Sequence, residues 1–423
     1  MRTDFLTGVV WNIAALLFLA VLGVALNIAI GRLYGPADLG TFNIAFTLLI
    51  CISQIASFGL QLSVLHGIAK AGENNPEQLA AVIYGGLALC VVIASLVTSL
   101  SILGTDVLTH FFPGVPDLKT AWLIAAPGLL PFAANKYLLG AVNGLQHMRA
   151  FAVFQAARFV LILIALGIMV AIGAPGPWLA GILSAAEFAL CIPLGLYVLR
   201  AVPCRGGLAQ LAPAAKRHAS FGLRVFAAGL LTELNKRVDV LLVGALMNAR
   251  AAGIYTVAAL LFEAGIQVIF VIRNNLNPRL ARNIEGGRVD EILRMSRLTF
   301  IALTPLLALG AIVAYFGFPI AVRLILDNPE FLLAREPLLW LMLALPAAGA
   351  ALCFSLILSL GGYPTWQTIL TLLILGVTCA FNAVLIPLYG IAGAGLAMAI
   401  STIIAAILSV VIPRYVMGIR LFV

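Results

Sequence analysis

Apolar residues run along this chain in long stretches, separated by short breaks that are polar or rich in glycine and proline. A helix crossing a hydrocarbon layer ~30 Å thick needs ~20 mostly apolar residues at ~1.5 Å of rise each. The pattern predicts twelve such spans. In the first half they lie near 8–30, 39–67, 78–104, 119–145, 150–173 and 178–200; in the second, near 217–246, 252–275, 298–325, 336–360, 364–388 and 392–413. Runs such as Val9–Ile30 and Leu370–Leu388 lack the alternation of transmembrane strands of ~10 residues, so the spans are helical. Turn chemistry marks the breaks: Gly35-Pro36, Pro113-Gly114, Ala174-Pro175-Gly176-Pro177 and Gly361-Gly362-Tyr363-Pro364.

Composition agrees and narrows the class. The 423 residues are 63% hydrophobic and 10% charged, whereas soluble domains have about 25% charged residues. This excludes a cytosolic enzyme, a secreted disulfide scaffold and a disordered chain. The expected class is an all-α integral membrane protein. Its early base, Arg2, precedes an apolar run longer than the ~7–15 residues of a cleaved signal, so 8–30 reads as the first span. Five of the six cysteines sit in apolar runs with no short paired spacing, and we read them as small hydrophobes.

The net charge of +9 comes from 25 bases and 16 acids. No basic cluster is interleaved with stacking aromatics, so no nucleic-acid partner is expected. With the N-terminus inside, fifteen bases fall on inner segments and only Arg32, Lys119, Arg250, Arg323 and Arg335 on outer ones. The positive-inside bias therefore puts both termini in the cytoplasm. The charged stretch Arg279–Arg297 has Ile284, Val289, Ile292 and Leu293 at roughly helical spacing, which predicts an amphipathic helix on the cytoplasmic face.

The chain also resembles itself. Gly31-Arg32-Leu33 and Gly40-Thr41-Phe42-Asn43-Ile44-Ala45 recur as Gly244-Ala245-Leu246 and Gly253-Ile254-Tyr255-Thr256-Val257-Ala258. Later, Gly144, Gly173, Gly176, Leu179 and Ala180 recur as Gly361, Gly390, Gly393, Leu396 and Ala397. A repeat of six spans keeps both halves in one orientation, as in parallel-repeat transporters with an axis along the membrane normal. The expected organisation is two six-helix lobes, 1–200 and 217–423, joined by a cytoplasmic linker over 201–216 that contains Pro203, Gly206, Gly207 and Pro213.

Nine charges fall inside spans: Lys136, Arg158, Glu187, Arg224, Glu233, Lys236, Arg237, Asp239 and Glu263. Each costs ~2.5–3.5 kcal/mol at mid-span on insertion scales, so each should face protein or water. On span 7, Glu233, Lys236 and Arg237 share one arc with Gly229 and Gly244, and Asp239 stands three residues beyond Lys236. Two readings stand side by side. In one, Lys136, Arg158, Lys236 and Arg237 line an anion-binding cavity. In the other, they form an ion-pair network that fixes helix packing. Glu187 and Glu263, each the lone acid of its span, are either partners for such bases or relays for a coupling proton or cation.

Catalytic signatures are lacking. No lysine ends a Gly-x-x-x-x-Gly-Lys-Ser/Thr loop, neither His-Glu-x-x-His nor Gly-x-Ser-x-Gly occurs, and the four histidines are scattered near span ends. No enzyme activity, cofactor or metal is expected. Pro127, Pro131, Pro305 and Pro346 lie inside spans, where they kink a helix or are accommodated by packing.

Several stretches resemble a known family. Gly31-Arg32-Leu33-Tyr34-Gly35-Pro36-Ala37-Asp38-Leu39-Gly40-Thr41-Phe42 is similar to the R-x-L-G-P-x-x-Y-G signature of the polysaccharide-transporter flippases. These belong to the multidrug/oligosaccharidyl-lipid/polysaccharide exporter superfamily. Asn143–Phe151 resembles the family's span 4–5 loop, Leu234–Gly244 its polar span 7, and Asn382–Ala394 its span 11–12 hairpin. Tyr34 departs from the usual Leu and Leu39 from an aromatic. Peptidoglycan-precursor flippases carry two extra spans and arginines in span 1, and multidrug relatives often an acid there; span 1 here has neither feature. The resemblance implies a flippase in a bacterial inner membrane that moves polyprenyl-diphosphate-linked O-antigen or exopolysaccharide units by alternating access. Lys136, Arg158, Lys236 and Arg237 would hold the diphosphate, supported by Glu187, Glu233, Asp239 and Glu263. The implied partners are the lipid-linked glycan, the bilayer and a glycan polymerase or glycosyltransferases. A drug/cation antiporter of the same fold and a non-transporting scaffold of a glycan-assembly complex are the alternatives.

Overall fold

The computed structural model describes residues 2–71, 75–204 and 208–422, with side chains from Leu22 onward except at 208–210. The linker residues Arg205, Gly206 and Gly207 and the early residue Arg2's side chain lie outside what is described. Among the described residues there are helices and turns and no strand, so the chain is all-α.

The first helix, α1 (Arg2–Ser57), holds the first expected span and the start of the second on either side of a kink at Gly35, where φ is 83° and ψ −179°. Pro36 supplies the reason: its ring disfavours helical backbone at the residue before it, and only glycine adopts a positive φ with extended ψ without strain. A second break was not anticipated. Phe58 and Gly59 both take positive φ, so the expected span 39–67 turns between α1 and α2 (Leu60–Ala71). Next, α3 (Pro76–Leu103) starts on Pro76 and is capped by Asn75, whose side chain accepts from the Gln78 N–H at 3.1 Å.

Two short helices, α4 (Thr105–His110) and α5 (Leu118–Ala125), precede α6 (Leu129–Gly144). Pro127 interrupts the expected span 119–145 as a tight turn between α5 and α6. Two long helices complete the first half: α7 (Met148–Ala171) and α8 (Gly181–Ala201). In the second half, α9 (Leu208–Leu246) is followed by α10 (Ala249–Glu285), which Asn248 caps through the Ala251 N–H at 2.9 Å. Then come α11 (Val289–Ala321), α12 (Arg335–Leu352), the short α13 (Ile357–Leu360) and α14 (Pro364–Met417). Pro305 and Pro346 sit inside α11 and α12, which continue through them. Helix α14 holds the last two expected spans around a kink at Gly390, φ 60° and ψ −138°.

The amphipathic helix expected over Arg279–Arg297 is instead a corner. Helix α10 ends at Glu285, Gly287 takes φ 62°, and α11 begins at Val289. Consecutive glycines end a helix readily, because the left-handed residue lets Arg288 N–H reach back to the Asn283 carbonyl at 2.9 Å.

Eight helical stretches among the described residues are long and apolar enough to cross a membrane, which makes this a multi-pass membrane protein. The expected spans 119–145 and 217–246 are not among the eight: Pro127 divides the first, and charges lower the hydropathy of the second. Exposed apolar residues recur on α7 at Val160, Ile164 and Ile168, and on α11 at Leu298, Ile301, Leu309, Ile312 and Phe316. Apolar faces this extensive suit lipid rather than water.

The residues group into two compact units. One comprises residues up to 27 together with 41–233; its core includes Leu60, Val64, Ile83, Tyr137, Val142 and Leu194, all buried. The other comprises 28–40 and 234–423. There α12 packs against α10, α11 and α14, with Tyr255, Phe331, Leu341 and Phe354 fully buried.

Candidate functional site

In the first unit, Lys136, Arg158 and Glu187 come from three consecutive long helices, α6, α7 and α8. Arg158 faces Glu187 with one edge of its guanidinium: Nε lies 2.8 Å from Oε1, and Nη2 donates to Oε2 at 3.3 Å. Asn135 completes the carboxylate's shell by donating Nδ2 both to Oε2 and to the Glu187 carbonyl, each at 2.8 Å. The Arg158 guanidinium also lies 5.0 Å from the centre of the Phe132 ring. The side chains are 17% and 4% exposed. At such burial a charge needs a partner and hydrogen bonds, and both are present.

Lys136 projects differently. Its Nζ donates to Gln54 Oε1 of α1 at 2.7 Å. A Cβ on Gly229 of α9 would lie 3.6 Å from that same Gln54 oxygen, so the small residue leaves room beside the Lys136–Gln54 pair. Arg224, further back on α9, is exposed and donates Nε to its own helix at the Ser220 carbonyl, 3.1 Å away.

His218 is the residue that sequence reasoning missed here. Its Nε2–H donates to the Val82 carbonyl at 2.9 Å, so its Nδ1 is the acceptor for the Ser63 hydroxyl at 2.7 Å. Tyr137 presents its edge to the imidazole and donates its own hydroxyl to the Ile83 carbonyl at 2.8 Å. Gly86 makes this possible, since a Cβ there would collide with the Tyr137 hydroxyl and approach the imidazole to 2.9 Å. The first turns of α9 are thereby fastened to α2 and α3. The available signal was the glycine-rich run around Gly85-Gly86 on an otherwise apolar helix.

In the second unit, Lys236 is exposed, Arg237 half-buried and Asp239 buried within one turn of α9. Asp239 accepts from the Tyr255 hydroxyl of α10 at 2.8 Å. This is a partner that helical spacing from Lys236 did not indicate. One residue before Lys236, Asn235 donates to the Thr371 carbonyl of α14 at 3.0 Å, tying the polar turn of α9 to that helix. Glu233 is half-buried, and Glu263 stands exposed on α10. The chemistry on offer is therefore two separate basic sets, Lys136 with Arg158 in one unit and Lys236 with Arg237 in the other. The first set has the Gln54 and Asn135 amides beside it, and the second follows Asn235 on α9.

The sequence model for polysaccharide biosynthesis proteins matches residues 5–284. No curated protein matches the sequence significantly. Among solved structures, the inward-facing conformation of a multidrug resistance MATE family transporter of the MOP superfamily is similar, with a TM-score of 0.78 at 15% identity over 93% of each chain. The inward closed conformation of the lipid II flippase MurJ is similar at 0.72 and 14% identity, over 95% of this chain and 87% of that one. A MOP superfamily transporter from Pyrococcus furiosus, described as having a binding pocket of reverse polarity, is similar at 0.67 and 15%, over 95% and 92%. At these identities the likeness is one of fold.

Proposed function

Because the chain belongs to the polysaccharide biosynthesis protein family, we propose that it is a flippase that carries a polyprenyl-diphosphate-linked glycan from the inner to the outer leaflet. The membrane would be a bacterial inner membrane with both chain termini in the cytoplasm, as the distribution of bases favours. Twelve spans in two six-helix lobes, 1–200 and 217–423, would act as the moving bodies of an alternating-access cycle, joined through 201–216.

The observation that carries this reading is the presence of Lys136, Arg158, Lys236 and Arg237 within helices α6, α7 and α9 of a multi-pass membrane protein. A diphosphate bears about two negative charges and accepts several charge-assisted hydrogen bonds, which offset the cost of keeping cations there. Lys136 would offer an ammonium beside Gln54, and Lys236 and Arg237 a second basic set on α9. Arg158 would contribute through the edge of its guanidinium that Glu187 does not occupy. Glu187, Glu233 and Asp239 would support these helices, Glu187 through Arg158 and Asp239 through Tyr255, while Glu263 or Glu187 would be the relay for coupling to a proton or to the membrane potential. O-antigen or exopolysaccharide units are the expected cargo, with a glycan polymerase and glycosyltransferases as working partners.

Complementation of a glycan-export defect tests the assignment. The Lys236→Ala/Arg237→Ala double variant should fail to restore surface glycan at normal protein levels, and full activity would sink the role of these bases. The alternative reading, a drug/cation antiporter, draws on the likeness to MATE transporters. Drug efflux abolished by an ionophore, without a glycan phenotype, would favour it.

A further inference from the structure

Five arginines crowd the corner where α10 gives way to α11, and transport as proposed above leaves them without a role. Arg279 and Arg282 occupy the last turns of α10, Arg288 precedes α11, and Arg294 and Arg297 sit on its early turns; all five are exposed. The two helices run side by side from the corner, because Asn283 Nδ2 donates to Met295 Sδ at 3.3 Å. That contact brings Arg282 and Arg294, each one residue away, onto neighbouring turns. The acids sharing the corner are Glu285, Asp290 and Glu291, of which the last two lie in the first turn of α11, where the helix dipole favours them.

The height of these arginines along the helix matters most. Exposed Leu298 and Ile301 begin the apolar stripe of α11. Arg294 lies one turn before Leu298 and Arg297 one turn before Ile301, each on the same helical face and ~6 Å along the axis. Beside the corner, a hollow of about 260 Å³ is lined by Asn283, Ile284, Val289, Ile292, Tyr363 and Met417. The arginines therefore stand where an apolar belt ends, next to a recess lined by both polar and apolar groups.

We propose that the α10–α11 corner is a docking surface for anionic phospholipids of the leaflet that it faces. The arginines engage the headgroup phosphates, and the adjoining recess takes the first part of an acyl chain. Clustered bases at the end of a membrane-facing helix have this electrostatic affinity. The choice of side chain is informative as well: every base from Arg279 to Arg297 is arginine, whose planar fork binds a phosphate through two parallel hydrogen bonds.

Native mass spectrometry of the full-length protein in detergent tests this, with short-chain phosphatidylglycerol as probe and phosphatidylcholine of equal chain length as reference. The wild type should bind phosphatidylglycerol about tenfold more tightly than phosphatidylcholine, and added salt should weaken only the former. The R279Q/R282Q/R294Q/R297Q variant should lose most of that preference and leave phosphatidylcholine binding unchanged, while the fourfold lysine variant should keep the larger part of it. Equal binding of the two lipids by the wild type overturns the proposal, as does an unchanged preference in the glutamine variant. Displacement of phosphatidylglycerol by inorganic diphosphate at equal concentration also overturns it, since the corner would then be a site for free phosphate groups. Should the glutamine variant not fold, arginine-selective labelling of the wild type in vesicles decides. Arg294 and Arg297 should be protected by phosphatidylglycerol and not by phosphatidylcholine, and equal labelling in both overturns the proposal.

Discussion

Gly40 and Gly253 face each other at a helix crossing so close that neither position has room for a side chain. A Cβ on Gly40 would run into the Ala249 carbonyl, and one on Gly253 into the Pro36 carbonyl. The contact is reciprocal, each glycine meeting the residue four positions before the other. These are also the two glycines that correspond in the internal repeat. Since the obstructing atoms are backbone, neither helix can yield by a rotamer change alone. Gly40→Ala and Gly253→Ala should each destabilise the protein by about 1–3 kcal/mol, seen as a Tm lowered by a few degrees in detergent. The double variant should fall well short of the sum, because either alanine already forces the helices apart.

The Arg158–Glu187 pair makes a different demand. Removing one partner leaves the other charge buried and uncompensated, which costs about 3–5 kcal/mol, whereas replacing both by apolar groups of similar size is often neutral. Glu187→Leu should therefore lower the Tm of the purified protein more than Arg158→Met/Glu187→Leu does. If the double variant is stable and still exports glycan, Arg158 is structural. If it is stable and inactive, the Arg158–Glu187 pair takes part in the transport proposed above.

His218 predicts a change in the protein's susceptibility to protease. Replacing it with Phe keeps a ring beside Tyr137 but leaves the Ser63 hydroxyl without its imidazole partner, at about 1–3 kcal/mol for a group this buried, while the Val82 carbonyl still accepts from the Tyr137 hydroxyl at 3.2 Å. The start of α9 should then open more often, and trypsin should cut after Lys216 or Arg217 faster than in the wild type. Cleavage elsewhere should keep its wild-type rate.

Which of these relationships could be read from the sequence follows from what periodicity measures. Hydropathy located the helices, and Gly35-Pro36 announced its kink because proline acts on the preceding backbone regardless of the surroundings. The turn at Phe58-Gly59 escaped, since a positive φ at phenylalanine leaves no hydrophobic signature. The corner at Gly286-Gly287 was smoothed into one amphipathic helix because the apolar spacing on its two sides happens to stay in register. For the in-span charges, spacing along one helix could suggest neighbours such as Lys236 and Asp239. It could not see Tyr255 on α10, nor that Asn135 would close the shell of Glu187, because such partners depend on how faces of different helices meet.

The apolar face of α11, continued by the π-helical turn Val322–Leu326, runs from Leu298 to Leu324, which at ~1.5 Å per residue amounts to nearly 40 Å of lipid-compatible surface. A hydrocarbon layer of ~30 Å cannot cover that length on an upright helix, so α11 must lean or the surrounding lipid must stretch. Membrane thickness should thus bear on the tilt of this helix, quite apart from the chemistry of any cargo.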